Sequence, residues 1–277
     1  MTSSAEASRS DHAGFVVLGP SPASSSVLVC FHYAGGSAQS FYAWRTACEG
    51  RCELISAELP GRGRRQRAPF VTSIREAAEQ LALAYFPMTS RRSVFYGHSL
   101  GALLAFETAR LLQQRGLAGP SCLIVSSRAA PGSSLTRMGL PKLSDADLRH
   151  YLGEIQGTSK VLLDNAALMA FAIPPLRSDL ELIYDYALEP GPILDIPIEV
   201  IGGVDDKWAP LEALLGWRSL TNAAFRLRMI AGGHFAATSS PELILETMET
   251  HLRAMPNVEI LKQPPSPRSS HEFVSGE

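Results

Sequence analysis

The sequence predicts an α/β domain built on a mostly parallel, doubly wound sheet. Two observations carry that expectation. Strand-like and helix-like runs alternate along the chain, a pattern that places crossover helices between parallel strands. Several of the strand-like runs are continuously apolar rather than alternating, as central strands covered on both faces should be. At 277 residues the chain is long enough for one such domain with insertions.

In order, the strand-like runs are Phe15–Leu18, Val27–His32, Cys52–Ala57, Ser93–Tyr96, Cys122–Ser126, Ile196–Ile201 and Phe225–Ile230. Between and after them lie the helical runs Ala38–Cys48, Ile74–Phe86, Ser99–Gln114, Leu211–Leu220 and Pro241–Ala254. Residues 128–195 break the rhythm, being too long for an ordinary crossover. There Ser144 with Asp147 three residues on reads as a capping box, followed by Leu148, Leu152 and Ile155 at helix spacing. Asp164–Phe171 and Leu176–Tyr186 read as two further helices separated by Pro174-Pro175. An all-helical insertion before the last strands would lie over the C-terminal strand ends, where this architecture puts its active site. The insertion, about 134–190, is therefore expected to be a lid, the alternative being a helical decoration. The domain is expected to span 13–256, with residues 1–12 and the Pro- and Ser-rich 257–277 disordered.

Bulk properties exclude several classes. With 25 basic and 27 acidic residues there is no electrostatic case for nucleic acid or a membrane surface. Ala13–Trp44 lacks charged residues, but its prolines, serines and Gly35-Gly36 argue against a membrane span. Met1–His12 has no basic-then-apolar signal layout. Cys30, Cys48, Cys52 and Cys122 form no CxxC pair or disulfide framework. A cytoplasmic monomer with reduced thiols is expected, with neither metal nor organic cofactor.

The chemistry-bearing motif is Gly97-His98-Ser99-Leu100-Gly101, between a strand and a helix. A serine flanked by glycines at such a turn is a nucleophile elbow, because residues without Cβ let the chain turn sharply and hold the hydroxyl out. A serine hydroxyl needs a base, and the base needs a carboxylate to fix its tautomer. Of 7 histidines, His12 and His271 lie in the expected disordered ends, His98 points away from the serine, and His150 and His251 sit on helices with ordinary surface patterns. His234 follows Gly232-Gly233 on a loop after a strand, and takes the base role. His32 ends an early strand before Tyr33-Ala34-Gly35-Gly36, where a hydrolase of this architecture forms its oxyanion hole. The N–H groups of Ala34 and Leu100 are expected to form it. The acid is Asp205 or Asp206. The spacing Gly203-x-x-Asp206-x-x-x-Pro210 favours Asp206, leaving Asp205 as a turn or cap residue.

Together these residues resemble the type II thioesterases of polyketide and nonribosomal peptide assembly lines, a branch of the α/β-hydrolase family. The resemblance runs from about Val27 to His251. It is carried by Phe31–Ala38, Glu58–Gly63, the elbow, Leu176–Asp179 before Tyr186, Gly203–Asp206 and Gly232–Phe235. The elbow has Leu100 where many relatives have methionine, and His32 stands where that family's loop often has proline. The resemblance implies an α/β-hydrolase fold and cofactor-free hydrolysis of acyl groups from the phosphopantetheine arm of acyl or peptidyl carrier domains, the usual purpose being removal of stalled or misprimed units and the alternative being release of a finished product. Arg62, Arg64, Arg65 and Arg67 offer either a basic patch for the arm's phosphate or an acidic carrier surface, or simply a solvated loop. If the insertion is a lid, its apolar positions Leu148, Leu152, Leu168, Met169, Phe171 and Leu176 are expected to line or support an acyl chamber. A general esterase, an acyltransferase or cyclase, and a non-catalytic carrier-binding module are the competing readings.

Overall fold

The computed structural model describes residues 14–20, 26–85, 91–133, 143–155, 158 and 160–254. The expected disordered ends, the start of the insertion and Phe86 lie outside the described residues. A seven-stranded sheet runs in the order β1-β3-β2-β4-β5-β6-β7. Its strands are β1 (Phe15–Gly19), β2 (Ser26–Phe31), β3 (Glu53–Ala57), β4 (Arg92–His98), β5 (Leu123–Ser126), β6 (Ile198–Gly203) and β7 (Phe225–Ile230). Only β1 pairs antiparallel, against β3, so the sheet is the mostly parallel one expected. This is the α/β-hydrolase arrangement.

Helices cover both faces. On one, α2 (Ile74–Tyr85) and α3 (Leu100–Gln114) bury Ile74, Leu81, Leu103 and Phe106 against Val29, Phe31 and Phe95 of the strands. On the other, α1 (Arg45–Cys48) and α8 (Pro241–Ala254) enclose Leu28, Cys30, Tyr96 and Ile124 with Ile244, Leu245 and Met248. β2, β4, β5 and β6 are buried along nearly their whole length, as continuous apolar runs require. β7 alternates instead, with Arg226 and Arg228 exposed, and such charges keep an edge strand from pairing further.

Two expected helices are mixed. Ala38–Trp44 is a 3-10 helix that passes into α1, and α7 (Leu211–Leu215) passes into 3-10 turns at Gly216–Leu220. The reason is the apolar spacing: Ala38, Phe41 and Trp44 recur every third residue, as do Trp217 and Leu220. Three residues per turn puts each set on one buried face.

The insertion begins with α4 (Asp145–Glu154), capped by reciprocal Ser144–Asp147 bonds as expected. After α5 (Lys160–Asp164) comes a correction. The chain forms one helix, α6 (Ala166–Asp185), with Pro174 and Pro175 inside it, rather than two helices split by the prolines. Two prolines remove two helical N–H donors. Apolar contacts on both sides outweigh that loss: Met169 before them and Leu176 and Leu180 after them pack in one cluster with Leu148 and Leu152 of α4. Among the described residues no helix is long and apolar enough to cross a membrane.

Candidate active site

The chain order makes β2 and β4 neighbours whose continuations diverge, β2 leading to β3 on one side and β5 following β4 on the other. Ligands of open α/β sheets bind at such a switch point, beyond the C-terminal strand ends. The elbow stands there. Ser99 links β4 to α3 with φ 55° and ψ −115°, a conformation costly for a residue with a side chain and therefore one that the surroundings must enforce. They do so by backbone-to-backbone approach. A Cβ on Gly97 would lie 2.3 Å from the Gly101 carbonyl oxygen, and one on Gly101 would lie 1.9 Å from that of Phe31. Ser99 N–H donates to the Ser126 carbonyl at 2.9 Å, tying the turn to β5.

Gly101→Ala is therefore expected to lower unfolding free energy by about 3 kcal/mol, the upper part of the usual overpacking range. Gly119→Ala, where the nearest atom is the Leu112 Cβ at 3.9 Å, should change it by less than about 0.5 kcal/mol. Urea denaturation of both variants checks the contrast.

The loops after β6 and β7 bring an acid and a histidine together. Val204 N–H donates to Ile230 O and Asp205 N–H to Gly232 O, at 2.9 and 3.0 Å. A Cβ on Gly203 would sit 2.4 Å from the carbonyl oxygens of both Gly232 and Gly233, so only glycine permits this approach. Across it, His234 Nδ1 lies 3.0 and 3.1 Å from the two carboxylate oxygens of Asp206. Asp206 is 5 % exposed, whereas Asp205 points into solvent. Burial alone would raise the Asp206 carboxyl. The hydrogen bond and charge of His234, with the Trp208 N–H at 3.0 Å, outweigh it and hold the group below the usual carboxylate range. An ionised Asp206 fixes the proton on His234 Nδ1 and leaves Nε2 as the ring nitrogen free to accept. Ser127, at φ 51°, donates its hydroxyl to the His234 carbonyl at 2.7 Å and holds this loop from β5.

An aromatic group that the sequence did not announce packs around the base. The His98 ring lies 5.1 Å from that of His234, and Phe235 contacts both rings. Tyr33 packs edge-on against His98 and Phe235. His98 does turn away from the serine, toward Ser126 Oγ at 2.8 Å. Burial first, and then the neighbouring His234, push its pKa well below the ordinary value, so it stays neutral beside a base that must gain charge. His32 is likewise held neutral, pushed down to about 3 by burial and then by Arg62. Its Nδ1 lies 2.9 Å from the Tyr33 carbonyl, the role of a hydrogen-bonded loop residue.

The loop after β2 closes with Gly36 N–H donating to Tyr33 O at 2.9 Å, and Gly35 takes a positive φ of 74°. Among the described residues the Ala34 N–H has no acceptor. Leu100 opens α3, where helix geometry leaves the first N–H groups unpaired. Both N–H groups are thus available to an anionic oxygen.

The four arginines do not act as one group, and Arg62 fits neither reading. Arg62 is neither a surface phosphate ligand nor solvated: it is 6 % exposed and forks onto Asp179 of α6, at 2.6 and 2.8 Å. Arg62 also donates to the Gly36 carbonyl at 3.1 Å, and Asp179 accepts from Gly35 N–H at 2.8 Å. Arg65 donates to the Glu58 carbonyl and to Gln80, while Arg64 and Arg67 face solvent. His251, expected on an ordinary surface, instead contacts Glu199 of β6 at 2.8 Å.

In the insertion, Leu148, Leu152, Met169 and Leu176 are buried, as an acyl chamber or its support requires. Leu168 and Phe171 are corrections: they are 43 % and 82 % exposed, because they lie on the face of α6 opposite Met169.

Comparison with known proteins identifies the family. The thioesterase domain family matches residues 26–252, and the chain belongs to that family. The thioesterase PikA5 of Streptomyces venezuelae is 35 % identical over 254 residues, covering 89 % of each chain. The gramicidin S biosynthesis protein GrsT of Aneurinibacillus migulanus is 32 % identical over 226 residues, covering 82 % of this chain and 88 % of its own. Among solved structures, the type II thioesterase BorB from the borrelidin biosynthetic cluster superposes with a TM-score of 0.81 at 32 % identity, covering 88 % of this chain and 99 % of its own.

Proposed function

We propose that this thioesterase hydrolyses acyl groups from the phosphopantetheine arm of acyl or peptidyl carrier domains, clearing stalled or misprimed units. Ser99 is the nucleophile, His234 the base, Asp206 its orienting carboxylate, and the N–H groups of Ala34 and Leu100 the oxyanion hole. The observation that carries the reading is the strained elbow serine at the switch point, with a buried Asp206–His234 pair on the adjoining loops. A relative named for gramicidin S biosynthesis and a type II thioesterase neighbour from the borrelidin biosynthetic cluster support the carrier as substrate.

In the first half-reaction, Ser99 Oγ attacks the thioester carbonyl carbon as its proton passes to His234 Nε2. The carbonyl oxygen becomes an oxyanion held by the two N–H groups. Collapse breaks the C–S bond, and His234 returns the proton to the departing thiolate. In the second half-reaction, water gives a proton to His234 and attacks the acyl-enzyme. The free acid leaves and Ser99 regains its proton. Asp206 stays ionised throughout and stabilises the imidazolium. The four cysteines, all buried and unpaired, suit a reducing cytoplasm.

A carrier supplies binding energy remote from the reacting carbon, which can position the thioester. The same acyl group is therefore expected to give a kcat/KM at least tenfold higher on a carrier domain than on a small thiol. Equal or better turnover of the small thioester would favour a general esterase. Transfer of the acyl group to a nucleophile other than water would favour an acyltransferase or cyclase.

A further inference from the structure

We propose that Asp179 and Arg62 are positioning residues for the oxyanion hole, and that through them the insertion sets the shape of the catalytic loop. This rests on the reading of Ala34 N–H as an oxyanion donor. The two side chains are 117 positions apart and meet in a buried, two-pronged ion pair that touches neither the nucleophile nor the base. What the pair does touch is the loop after β2. Asp179 Oδ2 accepts from Gly35 N–H, which belongs to the peptide that follows Ala34. Arg62 Nη1 holds the Gly36 carbonyl, on the other side of the same turn. The turn is thus fixed at its N–H by the insertion and at its carbonyl by the β3–α2 loop.

Neighbouring contacts leave the loop no independent resting place. At Gly35, whose φ is positive, an added Cβ would meet Leu176 of α6 at 3.3 Å, so the turn lies against the helix that carries Asp179. Leu176 before Asp179 and Leu180 and Leu182 after it are buried, which seats this half of α6 in the body of the domain. A forked guanidinium–carboxylate pair is geometrically demanding, and a hole donor must sit within a few tenths of an ångström of the developing oxyanion. Displacing α6 at Asp179 would therefore move the Ala34 peptide, and catalysis would respond to the insertion without any contact between it and the reacting atoms.

The test uses the full chain with Arg62→Met/Asp179→Leu, which removes both charges together and avoids leaving one buried ion unpaired. Asp179→Asn, which retains one acceptor oxygen, is the second variant. Three readouts are taken: the melting temperature, kcat and KM on one acyl thioester, and the rate of Ser99 phosphonylation by a fluorophosphonate, whose phosphoryl oxygen enters the hole. The double variant is expected to keep its cooperative melt and KM within about threefold while kcat and the phosphonylation rate fall together, by on the order of 10- to 100-fold; losing a whole hole donor costs on the order of 10²–10³. Asp179→Asn should fall between it and the wild type. A double variant with wild-type kcat and phosphonylation rate, or one that changes only KM, would overturn the clamp while leaving the hydrolase reading intact. If Ser99 of the wild type is not phosphonylated at all, the underlying reading fails and the clamp fails with it.

Discussion

Replacing Ser99 with alanine is expected to reduce kcat by on the order of 10⁶, the scale on which triads lose activity when the nucleophile is removed. The protein should remain folded. Alanine removes only the hydroxyl, and the turn at residue 99 is enforced by Gly97, Gly101 and the bond to Ser126 rather than by the serine side chain. Ser99 also holds a left-handed conformation that no side chain favours, so alanine brings no new strain. Steady-state hydrolysis of an acyl thioester, alongside the thermal melt, separates loss of chemistry from loss of fold.

The second large effect is expected at Asp206. Asp206→Asn should lower kcat by about 10⁴, the loss seen when a triad carboxylate becomes an amide and the histidine takes the wrong tautomer. Asp205→Asn should change it by less than about threefold, because Asp205 lies in solvent and contributes to its loop through the main chain. Acid stability should report the same pair. The Asp206 carboxyl is held below its unfolded value of about 4, so its stabilising contribution is full above that pH and is lost as pH falls through the lower folded value. Between pH 5 and 3 the melting temperature of the wild type should therefore drop more than that of Asp206→Asn.

Much of this was legible in the sequence, for local reasons. The strands lie within about two residues of their expected bounds because the buried parallel strands are written as uninterrupted apolar runs, while the edge strand Phe225–Ile230, which matches at both ends, is written as an alternating one. The Ser144–Asp147 capping box was readable because both partners lie within one helical turn. Ser99, His234 and Asp206 can be singled out because each follows a strand and sits near glycines: backbone packs where a Cβ would stand at Gly97, Gly101 and Gly203, and Gly232 takes a positive φ.

What the sequence withheld is mostly non-local. Nothing in the run Arg62–Arg67 distinguishes the arginine that pairs with Asp179 from the two that face solvent, because the partner is brought in by the insertion. Pro174-Pro175 predicts a helix break by local propensity, and apolar contacts on either side override it. Hydrophobicity alone points Leu168 and Phe171 inward, and only the phase of α6 set by Met169 turns them out. The 3-10 stretches did carry a signal, an apolar residue at every third position, which separates them from a 3.6-residue period.

The central claim is that Ser99 is the nucleophile of a covalent mechanism. Mass spectrometry of the intact protein after reaction with a fluorophosphonate, followed by peptide mapping, tests it most directly. The expected result is one adduct per chain, on the peptide that carries Ser99, absent from Ser99→Ala and strongly slowed in His234→Ala. An adduct on another residue of the folded protein, with Ser99 unmodified, would contradict the account.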